Sequence, residues 1–350
     1  MERTDIESES NPRRNGMHTT LDLDAILPRL RMLQEDLRTA LRTHMEQQAR
    51  ELWSRTERDD EGDTIFGIDV AVEELLLQHC ERWGREQHFV LVAEGLDPRG
   101  VTFGSPGRGG APFRLLVDPI DGTRGLMFDK RSAWCLMAAA PDRGAATHLS
   151  DVQVAVMTEL PTTRQVTSDV LWAVRGEAPH AERHGLHDGT RTAFALRPSG
   201  ATHLRHGFAT VNNFFHGGKE LTSRIEEAIL DRALGPWNPL KADVYTDQYI
   251  CSGGQLAELA LGRDRFVLDL RPLVHAKLGH AASLCCRPYD LCTMLVAQQA
   301  GCVVLDPLGN PLDAPLDTTT NVAFAAYANR ALADHLAPIV ADEVRRHLGA

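Results

Sequence analysis

Apolar side chains recur at Ile26, Leu30, Leu33, Leu37, Leu41 and Met45, a spacing of three to four residues. That period predicts an amphipathic helix from 21 to about 53, with Asp22 or Asp24 as its cap. Residues 70–83 repeat the pattern and predict a second helix. The pattern then shortens. Residues 89–93 form an apolar strand ending on Glu94, and residues 113–117 a buried strand ending at Asp118. Runs at 133–140, 152–160, 165–175 and 191–197 are parted by Pro141, Gly144, Pro161 and Gly189. With no helical pattern between them, they predict an antiparallel meander. After a strand at 208–211, helices at 219–233, 253–261 and 289–300 alternate with strands at 265–269, 302–306 and 321–327. A last helix begins at Ala328, which completes an α/β half. The glycine-rich stretch 104–110 has no Lys-Ser/Thr and no helix after it, so it reads as a turn. Residues 1–19 are polar and predict a disordered tail. A boundary near 205 then separates an N-terminal part, 20–205, from a C-terminal part, 206–350.

Composition changes this picture by exclusion. The chain has 350 residues, 43% hydrophobic and 24% charged, which suits a soluble globular protein of two domains or one large one. No 18-residue apolar window exists, and the first residues lack an apolar leader core. The expectation is a cytoplasmic protein with no membrane partner. Acidic residues outnumber basic ones, 48 to 37, for a net charge of −11. With a pI near 5.7 and no basic stripe, a nucleic-acid partner is not expected. The seven cysteines lie mostly in apolar runs and read as buried free thiols in a reducing compartment.

The acid matters where it is concentrated. In Leu116-Val117-Asp118-Pro119-Ile120-Asp121-Gly122-Thr123, a hydrophobic strand delivers Asp118 to its carboxyl end. Pro119 fixes a turn that brings Asp121 back beside it. Gly122 permits close backbone approach to a ligand, and the amides of Gly122 and Thr123 are placed to face an anion. Two carboxylates on one turn repel unless a cation sits between them, and oxygen donors select Mg²⁺, Mn²⁺ or Ca²⁺. Alone, the pair reads as well as an exposed Asx turn. Likewise Asp290, before an apolar helix, and Asp69, heading the 70–83 helix, are each also ordinary helix caps. Glu94 places a further acid at a strand end, where open α/β sheets hold ligands.

Taken in order, Gly62-Asp63-Thr64-Ile65-Phe66-Gly67-Ile68-Asp69-Val70-Ala71-Val72-Glu73, then Glu94, then Asp-Pro-Ile-Asp-Gly-Thr at 118–123, then Tyr289-Asp290 followed by Gln299-Ala300-Gly301-Cys302, form one pattern. It resembles the inositol monophosphatase and fructose-1,6-bisphosphatase superfamily of Mg²⁺-dependent, lithium-sensitive-type phosphatases, over about residues 25–335. The resemblance implies a layered α-β-α-β-α sandwich of the sugar phosphatase type, with an antiparallel N-terminal sheet region and a smaller α/β C-terminal region. It implies two or three Mg²⁺ ions, with Mn²⁺ as a possible substitute. Glu94, Asp118 and the Ile120 carbonyl would hold one, and Asp118, Asp121 and Asp290 a second. Asp69 and Thr123, with Glu94, would be catalytic, orienting and activating water. Gly122 and Thr123 would bind the phosphate. Departures from the family pattern are Ala93-Glu94-Gly95 for Gly-Glu-Glu, Tyr289 for Trp, Arg58 for Lys, and an interval after Asp290 one residue short.

Substrate choice falls to the C-terminal half. Asp269 resembles the acid that contacts substrate hydroxyls, and Asn212 resembles a substrate-binding Asn of the bisphosphatase branch. The stretch after Asp269 is longer than in simple inositol phosphatases and carries Arg271, His275, Lys277, His280 and Arg287. These are candidates for a second phosphate, Arg271 first among them. Zinc at His275, His280, Cys285 and Cys286 would need different spacings. The function implied is removal of phosphate from a small polyol, sugar or inositol phosphate. Alternatives are a fructose-1,6-bisphosphatase, a 3′(2′)-phosphonucleotide phosphatase, or a cation-binding regulatory member of the same fold. A homodimer or homotetramer is the family's usual state.

Overall fold

The computed structural model describes residues 21–48, 50–60, 63–105, 110–235, 238, 240–281 and 284–349, with main chain alone at 50, 51, 57–60, 63–66 and 71. The tail expected at 1–19 lies outside the described residues. Strand pairing organises the described chain around two sheets. The larger runs in the order Arg191–Phe194, His180–Gly185, Thr167–Val174, Val154–Leu160, Ala133–Pro141, Phe113–Asp121, Phe89–Ala93, Val101–Phe103. All its neighbours are antiparallel except Phe89–Ala93 with Phe113–Asp121, which run parallel. The smaller runs Val244–Tyr245, Gly207–Val211, Asp264–Asp269, Phe324–Tyr327, Val303–Leu305, with mixed directions.

Both faces of the larger sheet are covered, and the strand sequences say why. Along Ala133–Pro141, Trp134, Leu136, Ala138 and Ala140 join one apolar cluster, while Ala133, Cys135, Met137 and Ala139 join another. A strand apolar at every position must be buried on both sides. On one side lie the helices Leu23–Gln47 and Gly67–Gly84, packed on the sheet and on each other. On the other lie Ser252–Ala260 and Met294–Ala300, which also touch the smaller sheet. Lys219–Leu234 and Arg330–Leu348 pack together on that sheet's outer face. The result is five layers, α-β-α-β-α, as the expected sandwich requires.

Several elements differ from the expectation. The first helix stops at Gln47, and a separate turn, Arg50–Trp53, follows. Thr56–Asp60 and Asp63–Phe66 pair as a hairpin that the polar sequence of its first strand conceals. His180–Gly185 is a strand for the same hidden reason. The expected helix at 289–300 is a 3₁₀ turn, Tyr289–Leu291, then a helix, Met294–Ala300. The stretch after Asp269 is not structureless: Arg271–Leu278 is a helix with Pro272 in its first turn and Gly279 at φ +68° as its C-cap. No helix among the described residues is long and apolar enough to cross a membrane.

Leu37 is fully buried in the face that the first helix lays on the sheet. Leu37→Ala should cost about 2–5 kcal/mol in urea unfolding, by lost burial and the cavity left behind. Met32→Ala, on a residue 55% exposed, should stay within about 0.5 kcal/mol.

Candidate active site and metal centre

The parallel pair explains why acids meet. Ala93 lies opposite Val117, so the next residues, Glu94 and Asp118, emerge side by side at the same sheet end. The ladder to the neighbouring strand breaks between Asp118 and Asp121, where Pro119 intervenes. Asp118 Oδ1 accepts the Ile120 amide at 3.0 Å, which closes the turn. Gly122 follows at φ +100°, a conformation that favours glycine. A Cβ there would also stand 3.0 Å from Cys251 Cβ.

Asp121 is held from the opposite side. The helix Ser252–Ala260 points its N-terminus at that carboxylate, whose oxygens accept the Ser252 amide at 3.2 Å and the Gly253 amide at 2.6 Å. Asp290 arrives on the 3₁₀ turn, where its Oδ2 accepts the Arg287 amide at 2.7 Å. One carboxylate oxygen from each of Asp118, Asp121 and Asp290 lies within 4.8 Å of the others. Glu94 lines the same cavity, together with Ile120, Gly122 and Thr123. Asp69, in the first turn of Gly67–Gly84, comes within hydrogen-bond reach of this group. Thr123 Oγ1 shares its proton between Asp69 Oδ1 at 3.2 Å and the Ile120 carbonyl at 2.9 Å.

The electrostatics follow from burial. Asp118 is 2% exposed and its carboxyl is pushed well above the usual range, by desolvation and then by the charges of Glu94, Asp121 and Asp290. Burial and Asp290 push Asp121 up to about 8, against the opposing pull of the Gly253 and Ser252 amides. Asp290 rises to about 6, again chiefly by burial. Such a group takes up protons or a cation. The donors are oxygens throughout, which fits a hard divalent ion such as Mg²⁺ or Mn²⁺.

The residues expected to face the substrate divide. Arg271 lines the cavity. Asp269 and Asn212 sit behind it, with exposures of 0% and 2%. Asp269 is occupied by Arg271, whose Nε bonds both carboxylate oxygens at 3.0 and 2.9 Å and whose Nη2 lies 2.5 Å from Oδ2. Asn212 Nδ2 donates to the same Asp269 oxygen at 3.1 Å. The acid expected to read hydroxyls therefore anchors an arginine. Arg271 Nη1 also bonds the Leu284 carbonyl at 2.6 Å, and its charge is held firmly by Asp269.

Sequence reasoning missed three parts of the site: the Phe214–Phe215 pair, Arg124 and two main-chain amides. Phe214 and Phe215 meet edge to face, 4.8 Å between centroids. Arg271 stacks over Phe214 at 4.7 Å and Arg124 over Phe215 at 5.2 Å. The third part is the pair of Ser252 and Gly253 amides; Ser-Gly-Gly ahead of an apolar helical run was their available signal. All seven cysteines are free and buried.

No known protein-family profile matches the chain, and no curated protein matches it either. Solved structures do. The extragenic suppressor protein SuhB of Bartonella henselae matches at TM-score 0.60 and 14% identity, over 90% of this chain and 98% of that one. A staphylococcal inositol monophosphatase with bound inositol monophosphate matches at TM-score 0.57 and 15% identity, over 92% and 98%. The same type of structure with bound 2′-AMP matches at TM-score 0.57 and 14% identity, over 93% and 98%. The chain thus has the inositol monophosphatase fold.

A group that holds its proton more tightly folded than unfolded makes folding less favourable as pH rises. Between about pH 4, the ordinary carboxyl value, and about 8 for Asp121, the metal-free protein should therefore lose thermal stability. Melting scans at pH 6 and 8.5 should show that fall. Added Mg²⁺ should raise the melting temperature more at pH 8.5, where fewer protons compete. A metal-free protein equally stable at both pH values would contradict this electrostatic account.

Proposed function

We propose that this chain is a Mg²⁺-dependent phosphomonoesterase acting on a small polyol, sugar or inositol phosphate. The observation that carries the reading is the meeting of Asp118, Asp121 and Asp290 within 4.8 Å, from segments far apart in sequence, beside the Thr123–Asp69 hydrogen bond. Glu94, Asp118 and the Ile120 carbonyl would hold one cation, and Asp118, Asp121 and Asp290 another. Bound there, divalent ions supply Lewis acidity and offset the charge that develops on the transferring phosphoryl group.

The chain's own residues do the rest. Thr123 Oγ spends its proton on Asp69 and Ile120, so its lone pairs are left to accept a hydrogen bond from an attacking water. Asp69 is placed to take that water's proton through the hydroxyl. The turn at Gly122 brings main-chain amides toward the phosphate without a Cβ in the way. Inositol monophosphate and 2′-AMP bound to structural neighbours support a small phosphate ester as ligand.

A second reading concerns the substrate alone. Arg271 is charge-paired with Asp269, so the wall facing the leaving group offers the Arg124 guanidinium, the remaining N–H groups of Arg271 and two phenyl rings. That wall suits a leaving group bearing its own phosphate better than one bearing only hydroxyls.

Two measurements test these readings. Phosphate release with Mg²⁺ should occur on a panel of inositol 1-phosphate, glycerol 2-phosphate, 2′-AMP, fructose 1,6-bisphosphate and adenosine 3′,5′-bisphosphate. Asp121→Asn should lower turnover on the order of 10²–10³-fold and weaken Mg²⁺ binding while the chain still folds, with a somewhat lower metal-free melting temperature because the Asn side chain can accept only one of the Ser252 and Gly253 amides. No release from any ester by cation-loaded protein would sink the enzyme assignment. For the second reading, Arg124→Gln should raise KM roughly tenfold for bisphosphates and little for monophosphates. Equal changes for both classes would reject it.

A further inference from the structure

We propose that Cys251 is a positioning residue for the cation site, fixing Asp121 through both its main chain and its carboxylate. The inference deepens the cation-binding reading above and rests on it. Cys251 is 2% exposed and forms no disulfide. Its thiol donates to the Asp121 carbonyl at 3.0 Å. The same sulfur accepts the Gly254 amide at 3.3 Å, capping the helix Ser252–Ala260. That helix presents the Ser252 and Gly253 amides that hold the Asp121 carboxylate. One side chain therefore links the helix N-terminus to the backbone of the very residue whose carboxylate that N-terminus grips. A thiol suits the place because it both donates and accepts.

The surrounding glycines are cut to fit this arrangement. A Cβ on Gly254 would stand 2.5 Å from Cys251 Sγ, and one on Gly122 would stand 3.2 Å from it. A Cβ on Gly253 would meet Asp121 Oδ2 at 3.0 Å and Leu136 Cδ1 at 2.4 Å. Three positions without side chains let thiol, carboxylate and amides close on one another. Loosening the thiol should let the helix end drift and cost Asp121 its set orientation, which a cation would then have to restore on binding.

Mn²⁺ binding by electron paramagnetic resonance, without substrate, tests the idea on the parent, Cys251→Ala and Cys251→Ser. Melting temperatures are measured alongside. The alanine variant should bind Mn²⁺ about tenfold more weakly. The serine variant, which keeps a donor and an acceptor, should stay within about threefold of the parent. A role in packing alone would lower the melting temperature of the alanine variant and leave its Mn²⁺ affinity in place, and that result overturns the proposal. Serine binding as weakly as alanine overturns it too, and decides the matter even where the alanine variant does not fold. A parent protein that binds no Mn²⁺ is a different failure: it removes the cation-binding reading itself.

Discussion

Repulsion among buried carboxylates is the constraint around which this protein is arranged. Two unit charges about 4 Å apart at an effective dielectric near 20 repel by about 4 kcal/mol, and here Glu94, Asp118, Asp121 and Asp290 face one cavity. Without a cation, burial and this repulsion push the Asp118, Asp121 and Asp290 carboxyls above their usual range, so the cluster takes up protons more readily than free carboxyls do. The structure also directs main-chain amides at the same groups: Ile120 to Asp118, Ser252 and Gly253 to Asp121, Arg287 to Asp290. Those amides do not abolish the repulsion. They orient the oxygens so that a divalent ion finds a formed site.

The architecture supplies this site from both sides of its middle layer. The single parallel pair in the larger sheet places Glu94 and Asp118 together. The middle helix Ser252–Ala260 runs from the site into the space between the sheets, touching strands of each. The same cavity is also lined by side chains of different chemistry, Arg124, Phe214, Phe215 and Arg271. Asp269 and Asn212 support Arg271 from behind. The cavity is thus acidic where cations would sit and cationic and aromatic where a leaving group would lie.

How much of this the sequence disclosed depended on the range of the interactions. Asp118-Pro119-Ile120-Asp121-Gly122-Thr123 was legible because its chemistry is contained in one turn. Apolar periods marked most helices, the antiparallel meander and the α/β half, while the five-layer arrangement was implied by the family resemblance alone. Asp269 was placed at a strand end correctly, but its partner was not foreseen. Its exposure depends on Arg271, two residues on, turning back at the start of a helix that the sequence reading left out. Pro272 and Gly279 marked that helix. The grip on Asp121 comes from the Ser252 and Gly253 amides, signalled only by Ser-Gly-Gly ahead of an apolar helical run. His180–Gly185 and the Thr56–Asp60 hairpin strand were hidden because their side chains are mostly polar while their pairing is through the main chain.

The most direct test of the central claim is anomalous diffraction from crystals of the full chain grown with Mn²⁺. The account predicts a strong anomalous peak within coordination distance of Asp118, Asp121 and Asp290, with Glu94 turned toward the same cluster. An anomalous map with no peak there, and with the three aspartates still drawn together by shared protons, would contradict it.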